Sequence, residues 1–170
     1  FYGVKSSSLK EVSGDTRVLD WILQAGKYLD PKVHFVAGYQ IDEIVERYPN
    51  LNYTINPKWK NTGPIFSLMQ AKVDDNSICV ISYGDIVFRE KTIKELMSLD
   101  SEVGVAVDSE WKERYATRTE EDMNRSEKVL ISGKEFVGLY KDTAQDLLDA
   151  EFIGLLVLKP EVINFLQKKS

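Results

Sequence analysis

Short apolar runs alternate along this chain with stretches whose apolar residues recur at helical spacing, and that alternation restricts it to α/β architectures. Val33-His34-Phe35-Val36-Ala37 reads as a buried strand, Gly38 as its turn, and Ile41, Ile44, Val45 and Tyr48 as the stripe of a following helix. Before it, Asp15 and Thr16 are placed to cap a helix carrying Val18, Leu19, Ile22 and Leu23 that stops near Gly26. Leu51, Tyr53 and Ile55 share one face of the next strand, and Ile65, Leu68 and Met69 mark a short helix after the Asn56-Pro57 loop. The run Ile78-Cys79-Val80-Ile81-Ser82-Tyr83 follows, then a helix over 92–99, a strand over 103–107 and a polar excursion over 108–128. Val129-Leu130-Ile131 and Phe136-Val137-Gly138-Leu139-Tyr140 form a hairpin across Ser132-Gly133-Lys134, with a helix from about Thr143. A strand over 152–158 and a helix bearing Val162, Ile163, Phe165 and Leu166 close the chain. The pattern predicts a largely parallel sheet covered on both faces, with the hairpin as an antiparallel addition, in one domain spanning 1–170.

The balance of 43% hydrophobic and 29% charged residues is that of a folded globular chain. A net charge of -5 argues against broad nucleic-acid affinity, which depends on Lys and Arg neutralising phosphates, so a small anionic substrate would need a local basic pocket. The lone Cys79 excludes an intrachain disulfide framework or thiolate metal cluster and fits a cytoplasmic setting. Neither a signal peptide at Phe1-Tyr2-Gly3-Val4-Lys5-Ser6-Ser7-Ser8 nor a stretch of ~20 apolar residues points to a membrane.

Ligands of open α/β sheets bind beyond the carboxyl ends of the strands, which favours Asp85, just past the run over 78–83. Its carboxylate is a hard oxygen donor suited to Mg²⁺ bridging substrate phosphates; capping of the next turn is the competing role. The polar loop over 56–63 opens a helix, where exposed backbone N–H groups suit anions and the side chains of Asn61, Thr62 and Ser67 can read a base or ribose. An ordinary helix cap by Asn61 or Thr62, with Pro64 in the first turn, explains the same residues. In the segment from Asp108, Arg114 or Arg118 can clamp a phosphate or phosphonate and Trp111 can wall the site. The alternative is a solvated helix with Trp111 and Tyr115 packed inward at i,i+4. His34, between Val33 and Phe35, reads as structural. There is no nucleophile elbow and no G-x-x-x-x-G-K-[ST] loop.

Asn56-Pro57-Lys58-Trp59, Thr62-Gly63, Ser67-Leu68, Tyr83-Gly84-Asp85, Val107-Asp108-Ser109-Glu110-Trp111 with Tyr115 and Arg118, Glu127-Lys128-Val129, and Glu151-Phe152-Ile153-Gly154 follow one another in an order that resembles the NTP-transferase (nucleotidylyltransferase) superfamily. The likeness is greatest to cytidylyltransferases acting on phosphonates such as 2-aminoethylphosphonate, then to phosphocholine cytidylyltransferases. It implies a Rossmann-like, GT-A-like mixed sheet, mostly parallel, with helices on both faces. It also implies Mg²⁺-dependent transfer of CMP from CTP to a small anionic acceptor with release of pyrophosphate, no nucleic-acid or membrane partner, and fusion to or association with another enzyme domain. Asp85 would be the metal ligand and Lys5 a shifted substitute for the family's signature lysine. Asn61, Thr62, Gly63 and Ser67 would lie near the nucleotide, with Asp108, Trp111, Arg118 and Glu151 on the acceptor side. The family's first strand with its Gly-rich loop would precede Phe1 and its second metal-binding aspartate would follow Ser170, so a longer protein is expected. A noncatalytic nucleotide-binding domain of this fold and a sugar-phosphate nucleotidylyltransferase are the competing functions.

Overall fold

The computed structural model describes residues 6–71, 73–74, 76–140 and 149–168. Lys5 and the helix expected from Thr143 lie outside the described residues. A tight hairpin of β1 (Glu11–Ser13) and β2 (Thr16–Arg17) turns at Gly14, whose φ of 55° is the left-handed conformation that glycine adopts without penalty. Because Thr16 is spent in that strand, it does not cap α1 (Val18–Gly26) as its sequence position suggests. Arg17 is the N-cap instead, and its backbone N–H donates to Oδ2 of Asp20 at 2.8 Å.

Strands β3 (His34–Ala37) and β4 (Asn52–Ile55) pair in parallel, with α2 (Ile41–Arg47) between them in sequence. They form a sheet of their own, and among the described residues the other edge of β3 is unpaired. Leu9, Leu19 and Ile44 fill the space between these strands and helices α1 and α2, joined by Phe35, Tyr48, Leu51 and Tyr53. Ile55, expected on the same face as Leu51 and Tyr53, is 60% exposed.

After α3 (Pro64–Gln70) comes the second sheet, built around the nine-residue strand β9 (Ala150–Leu158). Strands β5 (Cys79–Ser82), β6 (Val103–Asp108) and β7 (Lys128–Ser132) all pair antiparallel to it, and β8 (Glu135–Tyr140) pairs antiparallel to β7. Strands β5 and β6 therefore share one direction, with the reversed β9 between them. Direct parallel pairing is confined to β3 and β4 among the described strands, and the sheets together make the mixed, Rossmann-like arrangement. Helix α4 (Glu90–Met97) packs Ile93 and Leu96 against Ala106, Leu155 and Val157, with Ala25 and Ile22 arriving from α1. Ile22 also touches the Leu9 cluster, so α1 ties the two sheets together. The final helix, α7 (Pro160–Gln167), buries Ile163, and its Gln167 amide donates to the Val73 carbonyl at 3.1 Å.

The ladder from β6 to β9 breaks between Val105 and Val107, where β9 kinks at Gly154 with φ 84°. A Cβ at Gly154 would lie 2.5 Å from the Tyr83 ring. Both the backbone angle and this close approach require glycine. Because β9 runs antiparallel to β5 and β6, its first residues lie at their carboxyl ends, where the candidate site lies.

Candidate functional site

Beyond the carboxyl ends of β5 and β6 opens a cleft of about 1150 Å³. Asp85 and Tyr83 reach it from the end of β5, Asp108 from the end of β6, and Glu151 from the start of β9. Helices α5 (Trp111–Arg114) and α6 (Glu120–Arg125), with the turn between them, close the far side with Arg114, Tyr115, Arg118, Asp122 and Arg125. The cleft brings together Asp85, Asp108, Arg118 and Glu151, four of the residues picked out from the sequence.

Asp85 is exposed in the turn after β5 and has no hydrogen bond or ion pair to any described residue. The turn-capping role is thus not what holds it, and α4 starts later, with Arg89 as its N-cap. Gly84 lets buried Ser8 approach, since a Cβ there would sit 2.6 Å from Ser8 Oγ. The segment leading into β1 therefore packs one residue away from Asp85.

Two tyrosine–glutamate pairs flank the cleft. The Tyr83 hydroxyl donates to Oε2 of Glu127 at 2.8 Å, and burial together with the Glu127 and Asp85 charges pushes its ionisation well above the ordinary tyrosine range. The Tyr115 hydroxyl donates to Oε1 of Glu151 at 2.5 Å; burial first, then Glu151, pushes its pKa up to about 12. Both phenols stay neutral at ordinary pH and act as fixed donors. Arg118 lies over the Tyr115 ring, 4.7 Å from its centroid. Arg114 instead forms a forked pair with Asp108 at 2.6 and 3.3 Å, and Arg125 is taken by Glu121. Of the cleft's guanidiniums, Arg118 is the one without an ion pair to a described residue.

Trp111 is fully buried, with an edge-to-face contact to Tyr115 at 5.9 Å between ring centroids. The expected apolar wall for an acceptor is therefore a buried prop beneath Tyr115, as the i,i+4 spacing allowed. Lys128, which the sequence offered only within the Glu127-Lys128-Val129 piece of the resemblance and with no role of its own, is also fully buried, and its Nζ has no hydrogen-bond partner among the described residues. Glu151 pairs across the sheet with both Asp108 and Lys128, so the three side chains share one face in a row across β6, β9 and β7. Its neighbour Glu127 belongs to the same piece and was likewise given no role.

The loop carrying Asn61, Thr62, Gly63 and Ser67 does not line this cleft. Its organiser is Asn56, 1% exposed at the end of β4, whose Nδ2 donates to Thr62 Oγ1 at 2.9 Å and to Ser67 Oγ at 3.0 Å. Its Oδ1 accepts from the Lys58 N–H at 2.9 Å. Thr62 spends its own hydroxyl proton on the Lys58 carbonyl, while Ser67 retains a proton to donate. The cap of α3 is Gly63 rather than Asn61 or Thr62; Asn61 and Gly63 are exposed, with open space around Gly63. Trp59 packs so tightly on Gly38 that a Cβ there would overlap its ring, and Tyr39 contacts the same ring, fixing the loop against β3. Among the described residues, no group of three or more His, Cys, Asp or Glu is placed to hold a metal ion, and no helix is long and apolar enough to cross a membrane.

No protein-family model matches the chain. Among curated proteins it is 23% identical over 150 residues to the CTP:phosphoglutamine cytidylyltransferase of Campylobacter jejuni, covering 82% of this chain and 59% of that protein. It is 27% identical over 106 residues to the bifunctional protein GlmU of Ruthia magnifica, covering 61% of this chain and 23% of the relative. The chain thus spans only part of the length of these relatives. Among solved structures it aligns with the inositol-1-phosphate CTP transferase from T. maritima at TM-score 0.70 and 16% identity, over 96% of this chain and 66% of that one. It aligns equally with a putative glucose-1-phosphate thymidylyltransferase from Bacillus anthracis, at TM-score 0.70 and 14% identity over 100% of this chain and 70% of that one.

Proposed function

We propose that this chain, whose relatives and Rossmann-like fold are those of the NTP-transferase superfamily, is the catalytic part of a cytidylyltransferase. It would transfer CMP from CTP to a small phosphonate or phosphorylated alcohol such as 2-aminoethylphosphonate. An oxygen of the acceptor attacks the α-phosphorus of CTP, a new P–O bond forms, the bond to the bridging oxygen breaks, and pyrophosphate leaves. The observation that carries this reading is the cleft in which the Asp85 carboxylate and the Arg118 guanidinium, both without an ion pair among the described residues, converge with the Tyr115-held Glu151. The likeness to a CTP-dependent cytidylyltransferase supports the choice of nucleotide.

Asp85 fits Mg²⁺, which usually takes one or two carboxylates and completes its shell with water and substrate phosphate; a single free carboxylate suits that better than an all-protein cage. When bound, the ion neutralises charge on the phosphates. The remaining work falls to the chain: Arg118 binds the acceptor's anionic group, and the free oxygen of Glu151 accepts from its hydroxyl or ammonium. Lys128, paired across the strands with Glu151 and without a hydrogen-bond partner for its Nζ among the described residues, adjoins that position. Asn61, Gly63 and Ser67 contact the nucleotide from the loop that Asn56 holds. The cleft's lining includes six carboxylates against three guanidiniums, so an acceptor with a positive group beside its anionic one meets less repulsion than a plain dianion. The reading includes a cytoplasmic setting with CTP and the acceptor as partners.

Incubating the protein with CTP, Mg²⁺ and a panel of phosphonate and phosphate acceptors tests it by release of pyrophosphate. Asp85→Asn should lower turnover on the order of 10²–10³-fold. A sugar-phosphate acceptor is the second reading, favoured by the likeness to GlmU and to the thymidylyltransferase, and the same panel separates the two. CTP binding in calorimetry without turnover on any acceptor would replace both with a noncatalytic nucleotide-binding role.

A further inference from the structure

A lysine ammonium without a counter-charge lies beside the cleft. Lys128 is 0% exposed, and its Nζ has no hydrogen bond or ion pair to a described residue. Lysines are almost never fully buried unless paired, because an ammonium taken out of water without a partner is strongly destabilising. The carboxylates that the sheet sets around it are engaged by other groups. Glu151, its cross-strand partner, accepts from the Tyr115 hydroxyl, and Asp108, next in that row, is forked by Arg114. Glu127 accepts from the Tyr83 hydroxyl and Asp149 from the Ile131 N–H. Lys128 shares a sheet face with Asp108 and Glu151, and these two line the cleft together with Ser126 and Glu127, the residues just before it. Lys128 is thus set against the wall of the open space without being part of its surface.

We propose that Lys128 is an anion-binding residue of the acceptor subsite, and that an oxygen of the acceptor's phosphate or phosphonate is the partner its ammonium lacks in the free protein. The inference rests on the cytidylyltransferase reading and deepens it by adding a second cation to Arg118. Neighbouring strands lie about 4.8 Å apart, so the flexible four-carbon stem of lysine has the reach to bring Nζ to the wall that Glu151 forms. The cleft also needs such a charge. Its six lining carboxylates outnumber three guanidiniums, and of these Arg114 and Arg125 are held in ion pairs. Arg118 by itself leaves one charge of a dianionic group uncompensated, and Lys128 supplies the other. A lysine of this kind differs from a structural one in the sign of its effect on the free protein. A structural lysine stabilises the free fold, whereas an uncompensated one weakens it until an anion binds.

Lys128→Met keeps an unbranched side chain and removes the charge. Thermal melts of the full chain in increasing inorganic phosphate, at constant ionic strength, read both effects. Without phosphate the variant should melt at or above the wild-type temperature. Phosphate should raise the wild-type melting temperature, and the dissociation constant drawn from that rise should be about tenfold weaker in Lys128→Met, the worth of one charge-assisted hydrogen bond. A variant that melts lower than wild type, or does not fold, makes the ammonium structural and overturns the proposal. A phosphate affinity unchanged by Lys128→Met, or a wild-type melt that phosphate does not move, overturns it as well. No nucleotide and no turnover enter this measurement, so its outcome is separate from that of the pyrophosphate assay. A chain without cytidylyltransferase activity can pass it, and an active enzyme can fail it.

Discussion

Oε1 of Glu151 accepts a 2.5 Å hydrogen bond from the Tyr115 hydroxyl, and the Tyr115 ring also carries the Arg118 guanidinium 4.7 Å from its centroid. One side chain thus sets both a carboxylate and a cation on the acceptor side of the cleft, braced from below by buried Trp111. Tyr115→Phe keeps the ring under Arg118 and releases Glu151. The acceptor KM should rise by roughly 5–20-fold, the worth of about one charge-assisted hydrogen bond, with the KM for CTP unchanged. Equal changes in both constants would remove Glu151 from the acceptor side.

Arg118 has no ion pair to hold it among the described residues, so its removal is cheap for the fold and expensive for an anionic ligand. Arg118→Ala should leave the melting temperature nearly unchanged while raising the acceptor KM by about tenfold or more. Arg118→Lys should recover only part of this, since an ammonium lacks the planar fork. Full recovery by lysine would reduce the role to simple charge.

Gly154 combines a φ of 84° with a position where a Cβ would meet the Tyr83 ring at 2.5 Å. Gly154→Ala therefore incurs both backbone strain and a steric conflict with a ring that also packs edge-to-face on Phe152. A loss of about 2 kcal/mol is expected, or roughly 4–8 °C in Tm for a chain of this size. A melting temperature unchanged by the substitution would mean that β9 does not kink there.

The apolar runs announced the strands because a buried strand leaves its mark in composition, but they could not announce direction. Leu155, Val157 and Leu158 read the same whether β9 runs with its neighbours or against them, and the reversal appears only in pairing. Asp85 was legible from its place after an apolar strand, and the spacing of Trp111 and Tyr115 already contained the packed alternative that the structure adopts. Lys128 and Asn56 stand in pieces that carry the resemblance, yet neither was given a role, for a physical reason. Lysine is almost never fully buried and asparagine before proline is an ordinary turn residue, so local sequence assigns both to the surface.

Tyr48 donates to Oδ1 of Asp20 at 2.9 Å, and burial first, then Asp20, raises its pKa from 10.0 to about 12. The unfolded chain ionises this phenol near its ordinary value and the folded chain resists. Its contribution to stability is therefore complete below pH 10 and is lost as pH rises toward 12. Urea midpoints measured across that window should fall, and Tyr48→Phe should make the fall shallower. An identical decline in the variant would assign the alkaline loss to other groups, Tyr83 and Tyr115 first among them.

Asn56 gives both amide protons to hydroxyl oxygens, and Thr62 has already committed its own proton to the Lys58 carbonyl. Asn56→Asp therefore sets a buried carboxylate against an oxygen that has no proton to offer, whereas Ser67 can rotate to donate. Asn56→Ala leaves the two hydroxyls without a donor and the Lys58 N–H without its acceptor, but buries no charge. The aspartate should cost more than the alanine, about 3 kcal/mol against about 2. Its deficit should shrink toward pH 4, where a protonated carboxyl again donates; the folded-state pKa of the new acid is raised, so stability is lost as pH rises through it. Both variants should raise the KM for CTP and spare that for the acceptor, because the loop they loosen lies outside the cleft that holds Arg118 and Glu151. A pH-independent deficit in Asn56→Asp would show that its carboxylate reaches solvent, and a selective effect on the acceptor would move the nucleotide away from this loop.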